Sequence, residues 1–384
     1  MKLTRIDVYR LRFTLRAPFT TSFGSYRELE RPFVVLETSD GLKGIGEVPT
    51  LSDPAYKAEV DPPSVFTSLK EFVLPAVAKR QAEIGSIGTV EDLRSSYAWI
   101  KGANFAKSGV EAAFWDLEAQ RGQKPLWEFW GGTRLTFPVG VSIGGTNVED
   151  VLDRAETAVA MGFPRLKVKI WPGFDVKFVE ALRNAHPEIM LQVDANSAYD
   201  LQTWQVLKEL DRFNLLLIEQ PLFDDDIVLH SEISQEIATP ICLDESIHSL
   251  WDARAAMHLW TRNEILDRLI INIKPPRVSG FSEAIEIADV CHDHGVKTWI
   301  GGMLDSGWGK AMNLNFNGLA KIDLPGDHFS PGGAYFEQDI ITEPLEAPGG
   351  SYTLGEGVSA GVQLDWNAFD RLGEKLFSVD LASN

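Results

Sequence analysis

Between Arg165 and Arg277 the chain alternates short apolar runs with amphipathic segments of helix length. Five of the runs end in charge: RLKVKI with Lys167 and Lys169, LQVDAN with Asp194, LLLIEQP with Glu219, ICLDES with Asp244, and LIINIKP with Lys274. Short runs rich in Leu, Ile and Val, spaced in this way, read as buried parallel strands of repeated βα units. Asp194 and Glu219 are separated by the same 25 positions as Glu219 and Asp244, which predicts three carboxylates on one rim. Lys167 and Lys169 are two apart and share a strand face. The same phase turns Gln192, Cys242 and Asn272 inward, just below the mouth.

Outside this stretch the pattern changes twice. Residues 2–49 alternate like a β-meander, with Asp40-Gly41 as a hairpin turn between two apolar runs. A polar loop is expected over residues 18–31, carrying Phe19, Phe23, Tyr26, Arg27 and Arg31; this aromatic and basic mixture suits an anionic, partly apolar ligand or a plain surface connection. SVFTSLKEFVLPAVAKR and NFAKSGVEAAFWDLEAQRG then read as helices, the second stopped by Gly122 and packing Trp115 in a core. FPVGVSIGG opens the repeated units. After Lys274 follow the helix FSEAIEIADVCHDHG, a seventh strand in VKTWIGGMLDSG, and the helical GKAMNLNFNGLAKI. From Tyr335 the runs YFEQDIITEPL and SYTLGEG are strand-like and are expected to return to the small domain. The layout predicts a (β/α)8-type, TIM-like barrel over residues 131–334. An α+β capping domain would be formed by residues 1–130 and completed by a C-terminal segment, 335–384.

Composition narrows the function. A chain of 384 residues accommodates a barrel of about 250 residues plus a smaller domain. A net charge of −19 argues against nucleic acid as a partner, because phosphate binding needs clustered Lys and Arg. Cys242 and Cys291 cannot make a disulfide framework and fit a reducing cytoplasm. MKLTRIDVYRLRF lacks the apolar core of a signal peptide, and no run approaches membrane-spanning length. The expectation is a soluble, cytoplasmic homo-oligomer acting on a small molecule, with no membrane partner.

Active sites of such barrels lie at the C-terminal ends of the strands, where these charges stand. Three carboxylates without Cys or His specify a hard, oxygen-loving divalent cation, Mg²⁺ before Mn²⁺ or zinc. His292 and His294 fall in a helical segment and read as solvated. No GxxxxGK[ST] loop is present to give the lysines a phosphate role. What remains is proton abstraction beside a substrate carboxylate, with the cation holding its oxygens and a lysine taking the α-proton. Lys169 has Lys167 and the cation beside it to lower its affinity for protons. Lys274, four strands further round, would face the other side of the same carbon. Gly301-Gly302 keeps the mouth open for a ligand or marks a tight turn.

KVK at 167–169, DAN at 194–196, EQP at 219–221, DES at 244–246 and Lys274 in NIKPPR resemble, in order and spacing, the enolase superfamily. Sites of that superfamily use a Lys or His base with Mg²⁺. Lys at the sixth strand end without His at the seventh is similar to its muconate lactonizing enzyme subgroup. The stretches GGMLDSGWGKA and LPGDHFSPGGAYFEQDI look most like the o-succinylbenzoate synthase and N-succinylamino acid racemase branch. That resemblance implies Lys169 as base and Lys274 as its opposite partner, with Lys167 beside them, and Asp194, Glu219 and Asp244 as Mg²⁺ ligands. Asn196, Asn272, Gly301, Gly302, Met303 and Asp305 would surround the substrate, and Phe23 and Arg27 of the polar loop would help set specificity. The synthase branch also implies a place in menaquinone biosynthesis. The chain departs from the branch at Lys274-Pro275-Pro276-Arg277, where KxGRxGG is usual, and at Asp305, where Glu is common. Dipeptide epimerase and cycloisomerase chemistries are the alternatives, the former disfavoured because GGMLDSG lacks a DxD. A catalytically idle binding scaffold is the alternative of another class.

Overall fold

The computed structural model describes residues 2–20, 24–145, 147–330 and 334–381. Strands β1 (Leu3–Thr20), β2 (Ser25–Thr38) and β3 (Lys43–Glu47) form the expected meander. The β2–β3 turn places Glu37 opposite Lys43, with Gly41 at φ 84°, a conformation that favours glycine. The polar loop expected over 18–31 is instead mostly ladder: Phe19 pairs with Tyr26 and Thr20 with Ser25. A register irregularity between Thr14 and Phe19 lets the strand continue past Pro18, and polar composition concealed it.

Helices cover one face of this sheet. Pro62–Ser68 and Leu74–Ile84 are joined through a π-turn, Leu69–Val73, and the helix Asn104–Gly122 lies directly on β3. That approach needs glycine: a Cβ on Gly46 would come within 1.9 Å of Gly109 O, and one on Gly44 within 2.1 Å of Ala113 O.

After β4 (Thr136–Pro138) come β5 (Val141–Ile143), β6 (Arg165–Lys169), β7 (Met190–Asp194), β8 (Ile218–Glu219), β9 (Ile241–Leu243), β10 (Leu269–Ile273) and β11 (Lys297–Ile300). From β5 to β11 they form one seven-stranded sheet in sequential order, and every pairing is parallel. Several of the helices that follow these strands begin at side-chain caps, with Asn147, Asp226, Ser249 and Ser306 each accepting from a backbone N–H in the first turn. The eighth place is taken by irregular chain. The N–H groups of Asp323 and Leu324 donate to Thr298 O, Gly140 N donates to Gly326 O, and Val141 bridges Phe329. Pro325 and Gly326 explain why this segment closes the curled sheet without being a regular strand.

The C-terminal part returns by a route other than the expected one. YFEQDIITEPL makes only isolated bridges, Phe336 to Leu15 and Ile341 to Leu364. SYTLGEG supplies β12 (Ser351–Thr353), which pairs with β4. The strand that rejoins the first sheet is β13 (Gly373–Asp380), antiparallel to β1, giving the order β13-β1-β2-β3. Its half-exposed, charged edge carries no apolar run for a sequence reading to find. No helix among the described residues is long and apolar enough to cross a membrane.

Candidate active site

The ladder sets the height of each charge. Lys169 lies opposite Asp194, and Asp194 opposite Glu219. Glu219 then faces Cys242 rather than Asp244, and Cys242 faces Ile270. Asp244 and Lys274 therefore stand further along the strand direction. Equal sequence spacing did not mean equal height, because the strands of a curled sheet are staggered.

All six charged groups are buried; Lys169, the most exposed, shows 8% of its surface. Lys167 is the hub, with Nζ 2.8 Å from Asp194 Oδ2, 2.9 Å from Glu219 Oε2 and 3.1 Å from Asp327 Oδ2. Lys169 Nζ lies 2.7 Å from Asp194 Oδ2 and 2.5 Å from Asn196 Oδ1. Lys274 Nζ reaches Asp244 Oδ2 at 2.8 Å and Tyr56 Oη at 3.1 Å. The inward phase of the strands is as expected: Gln192 and Asn272 donate to Glu219 at 2.7 and 2.9 Å, and Cys242 Sγ receives Trp299 Nε1 at 3.3 Å. Beneath them Arg165 stacks 4.1 Å from the centroid of Trp299 and donates to Gln192.

These contacts separate the carboxyl groups chemically. Burial pushes Asp194 up, but Lys167 and Lys169 outweigh it and hold the carboxyl well below the usual range. Glu219 is driven to about 7 by burial and by Asp194, with Asp244 adding to it. Glu245 reaches about 8 through burial and the adjacent Asp244. Burial opposes the charge on Lys274, yet Asp244 raises its affinity for the proton above the ordinary range.

Several bracing residues were not singled out from the sequence. Gln220 holds an uncommon φ of 38°, and its Oε1 accepts from Asp244 N at 2.9 Å and Ser246 N at 3.3 Å. Arg277 donates to Asp244 Oδ1, to Ile247 O at 2.6 Å and to Tyr56 Oη at 3.2 Å. Glu245 accepts from Asn196 Nδ2 at 2.9 Å. Gln220, Glu245 and Arg277 stand within the charged motifs and could have been found there; Asp327 stands in the stretch LPGDHFSPGGAYFEQDI, where nothing pointed to Lys167, and Tyr56 carries no signal.

Lys167, Lys169 and Lys274 line one cavity with Asn196. The first sheet and the loop after it contribute Phe19, Tyr26 and Tyr56 to the same cavity, and the loop after β11 contributes Gly302, Met303 and Asp305. Gly301 serves a neighbour: a Cβ there would come 2.8 Å from Lys274 Cε and 2.5 Å from Asn272 Oδ1. Neither Gly301 nor Gly302 takes a positive φ; close packing on Asn272 and Lys274 explains Gly301, while Gly302 lines the cavity. Arg27 does not line this cavity. It pairs with Glu337 at 2.9 Å and donates to Arg16 O at 3.0 Å, half exposed. Phe23 lies outside the described residues. Arg31 proves to be fully buried, donating to Thr50 O, to Met303 O at 2.8 Å and to Leu304 O at 2.9 Å. His292 and His294 are exposed, as expected.

Residues 150–368 match the family model described as Enolase C-terminal domain-like, and residues 4–131 match Mandelate racemase / muconate lactonizing enzyme, N-terminal domain. An o-succinylbenzoate synthase from Bacillus subtilis is 38% identical, over 95% of both chains. An N-succinylamino acid racemase from Thermus thermophilus is 37% identical, again over 95% of both. The crystal structure of an enolase-superfamily member from Listeria innocua superposes with a TM-score of 0.91 at 33% identity, covering 99% of this chain and 100% of that one.

Proposed function

The chain belongs to the enolase superfamily, and from that premise we propose that it is a Mg²⁺-dependent enzyme that removes the α-proton of a carboxylate substrate. The reaction is o-succinylbenzoate synthesis by dehydration, racemisation of N-acylamino acids, or both. The observation that carries this reading is that Lys169 and Lys274 line one cavity while being held by different carboxylates, Asp194 and Asp244. Two lysines fixed independently can address two faces of one carbon.

The donor set fits a hard divalent cation in its chemistry. Asp194, Glu219 and Asp244 offer only oxygen, and Glu219 is loaded with neighbouring negative charge that a cation would relieve. Glu245 Oε2, beside Asp244 in the chain, is buried without a hydrogen-bond partner among the described residues. Among the described residues no three His, Cys, Asp or Glu side chains are gathered for ligation, since Lys167, Lys169, Lys274 and Arg277 hold these oxygens. Bound there, the cation would supply positive charge to the substrate carboxylate as the α-proton leaves.

The protein's own groups do the rest. Lys169 takes the α-proton from one face. Lys274, held as an ammonium by Asp244, delivers a proton to the other face in racemisation; in dehydration it stays as a cation beside the enediolate while Lys169 returns its proton to the departing hydroxyl, which leaves as water. Tyr56 and Arg277 fix Lys274 and Asp244, and Asn196 fixes Lys169. The test is a panel of the o-succinylbenzoate precursor, N-succinylamino acids and dipeptides with Mg²⁺ in D₂O. Turnover or α-deuteration of the first two classes is expected. Activity confined to dipeptides, or exchange with none, would overturn the reading.

A further inference from the structure

His328 belongs to no step above, yet it is 1% exposed and forms part of the cavity wall. Its Nε2 lies 3.2 Å from Asn317 Nδ2, and that amide nitrogen also stands 3.3 Å from Asn313 O. A backbone carbonyl only accepts, so the amide end facing His328 is the NH₂. Nε2 must then be the acceptor. Burial pushes the imidazole below its ordinary value, with Asp327 only partly opposing, so the ring is neutral and its one proton sits on Nδ1. That Nδ1 has no partner among the described residues. A buried donor left without an acceptor is costly, and such a group calls for an explanation.

The surroundings supply one. A Cβ on Gly302 would come 3.3 Å from His328 Nδ1 and equally 3.3 Å from Asp305 Oδ2, so the missing side chain leaves room beside both. Lys167 joins Asp194 and Glu219 to Asp327, and His328 follows Asp327 in the chain. The histidine therefore adjoins the residue that anchors Lys167 and lines the same cavity as Lys167, Lys169 and Lys274. Asp327 and Asp305 act on the ring more strongly than Lys310 and Arg165 do, and that balance disfavours a second anion beside it. The atom that fits is a neutral carbonyl oxygen.

Building on the function proposed above, we infer that His328 binds the substrate by donating its Nδ1–H to the neutral carbonyl of the acyl arm, the amide C=O of an N-acylamino acid. Gly302 leaves the space for that contact. The terminal carboxylate of a succinyl group lies elsewhere.

The experiment uses the full chain with Mg²⁺ and two substrates, N-acetyl- and N-succinyl-L-phenylalanine, in wild type, His328→Leu and His328→Asn. His328→Leu is expected to raise KM about tenfold for both substrates alike. His328→Asn keeps an N–H near the position of Nδ1 and should restore most of the loss, which a purely structural role would not predict. ¹⁵N NMR of the wild type should show His328 protonated at Nδ1 before ligand is added and that resonance shifting with N-acetylphenylalanine. Unchanged KM in His328→Leu, a loss confined to the succinyl substrate, or a proton on Nε2 would overturn the inference while the enzyme's activity still stood. If the wild type exchanged no carboxylate, the functional reading would fail by itself. The Nδ1 resonance would then decide the contact separately, a ligand-induced shift sustaining it and an unmoved signal overturning it.

Discussion

Lys274 Nζ lies 2.8 Å from Oδ2 of Asp244, and Arg277 holds the other oxygen of the same carboxylate. Asp244 is therefore already neutralised twice within the protein. In the proposed enzyme a substrate complex must share that carboxylate with a cation, so the charge of Asp244 matters more than its shape.

Asp244→Asn keeps the volume and removes the charge. Turnover should fall at least ~100-fold with a native circular dichroism spectrum, while Tm should fall as well, because Lys274 and Arg277 lose their buried partner. Asp194→Asn and Glu219→Gln should behave alike. Activity titrated against Mg²⁺ is the measurement, and any variant that matches wild type at low Mg²⁺ drops out of the ligand set.

The two lysines should separate by enantiomer. With a racemisable N-acylamino acid in D₂O, Lys169→Ala is expected to lose α-exchange of one enantiomer and Lys274→Ala that of the other. Single-enantiomer exchange followed by NMR decides it: loss of the same enantiomer in both variants rules out two-faced chemistry.

Two arginines from the stretch expected to be one polar loop should differ sharply. Arg27 forms a half-exposed pair with Glu337, so Arg27→Ala should cost under ~1 kcal/mol and leave substrate preference unchanged. Arg31 is buried, and its guanidinium joins the first sheet to the carbonyls of Met303 and Leu304 beside the cavity. Arg31→Met leaves those acceptors unpaired and should cost about 2–4 kcal/mol in urea unfolding. Equal stability of the two variants would contradict this placement.

His230 should give the fold an acid-sensitive step. It is fully buried, accepts from Leu222 N at 3.0 Å, and is pushed down to about 4 by burial. A depressed folded value means that the unfolded chain binds the extra proton first. The stabilisation is complete above the unfolded value of about 6.5 and declines as pH falls toward 4, by on the order of 3 kcal/mol. Urea unfolding at pH 7 and pH 4.5 should show this decline in wild type and a smaller one in His230→Gln; equal slopes would refute it.

Most of the parallel strands were legible because five of the seven are short, mainly apolar runs ending in charge, and the inward phase of Gln192, Cys242 and Asn272 followed from period two alone. Register was not legible. The stagger that sets Glu219 against Cys242 arises from curling of the whole sheet, and residue spacing carries no trace of it. Tyr56 and Asp327 were invisible for a related reason, since their partners Lys274 and Lys167 are remote in sequence. Arg31 was misread because a basic residue among polar neighbours looks solvated, while its partners are backbone carbonyls that no side-chain pattern announces. The β1–β2 hairpin was taken for a loop because Thr, Ser and Pro outweighed the aromatic pair that continues the ladder.

The pairing of β13 with β1 also imposes an order in time. Leu11 waits for Gly373, so at ~5–20 residues per second a ribosome leaves one edge of β1 without its neighbour for tens of seconds. An open strand edge during synthesis invites pairing with other nascent chains. Arg5, Arg10 and Arg12 stand along this strand, and Arg5 and Arg10 later face Asp380 and Glu374 across the ladder. Before β13 arrives Arg5 can pair with Asp7 of its own strand and Arg10 and Arg12 with Glu30 of β2, so the open edge presents charged pairs rather than an apolar row to another copy. When β13 docks, its Glu374 joins Arg10 and Arg12 and its Lys375 joins Asp7, so the charges that blunt the edge early become part of the seam that closes it.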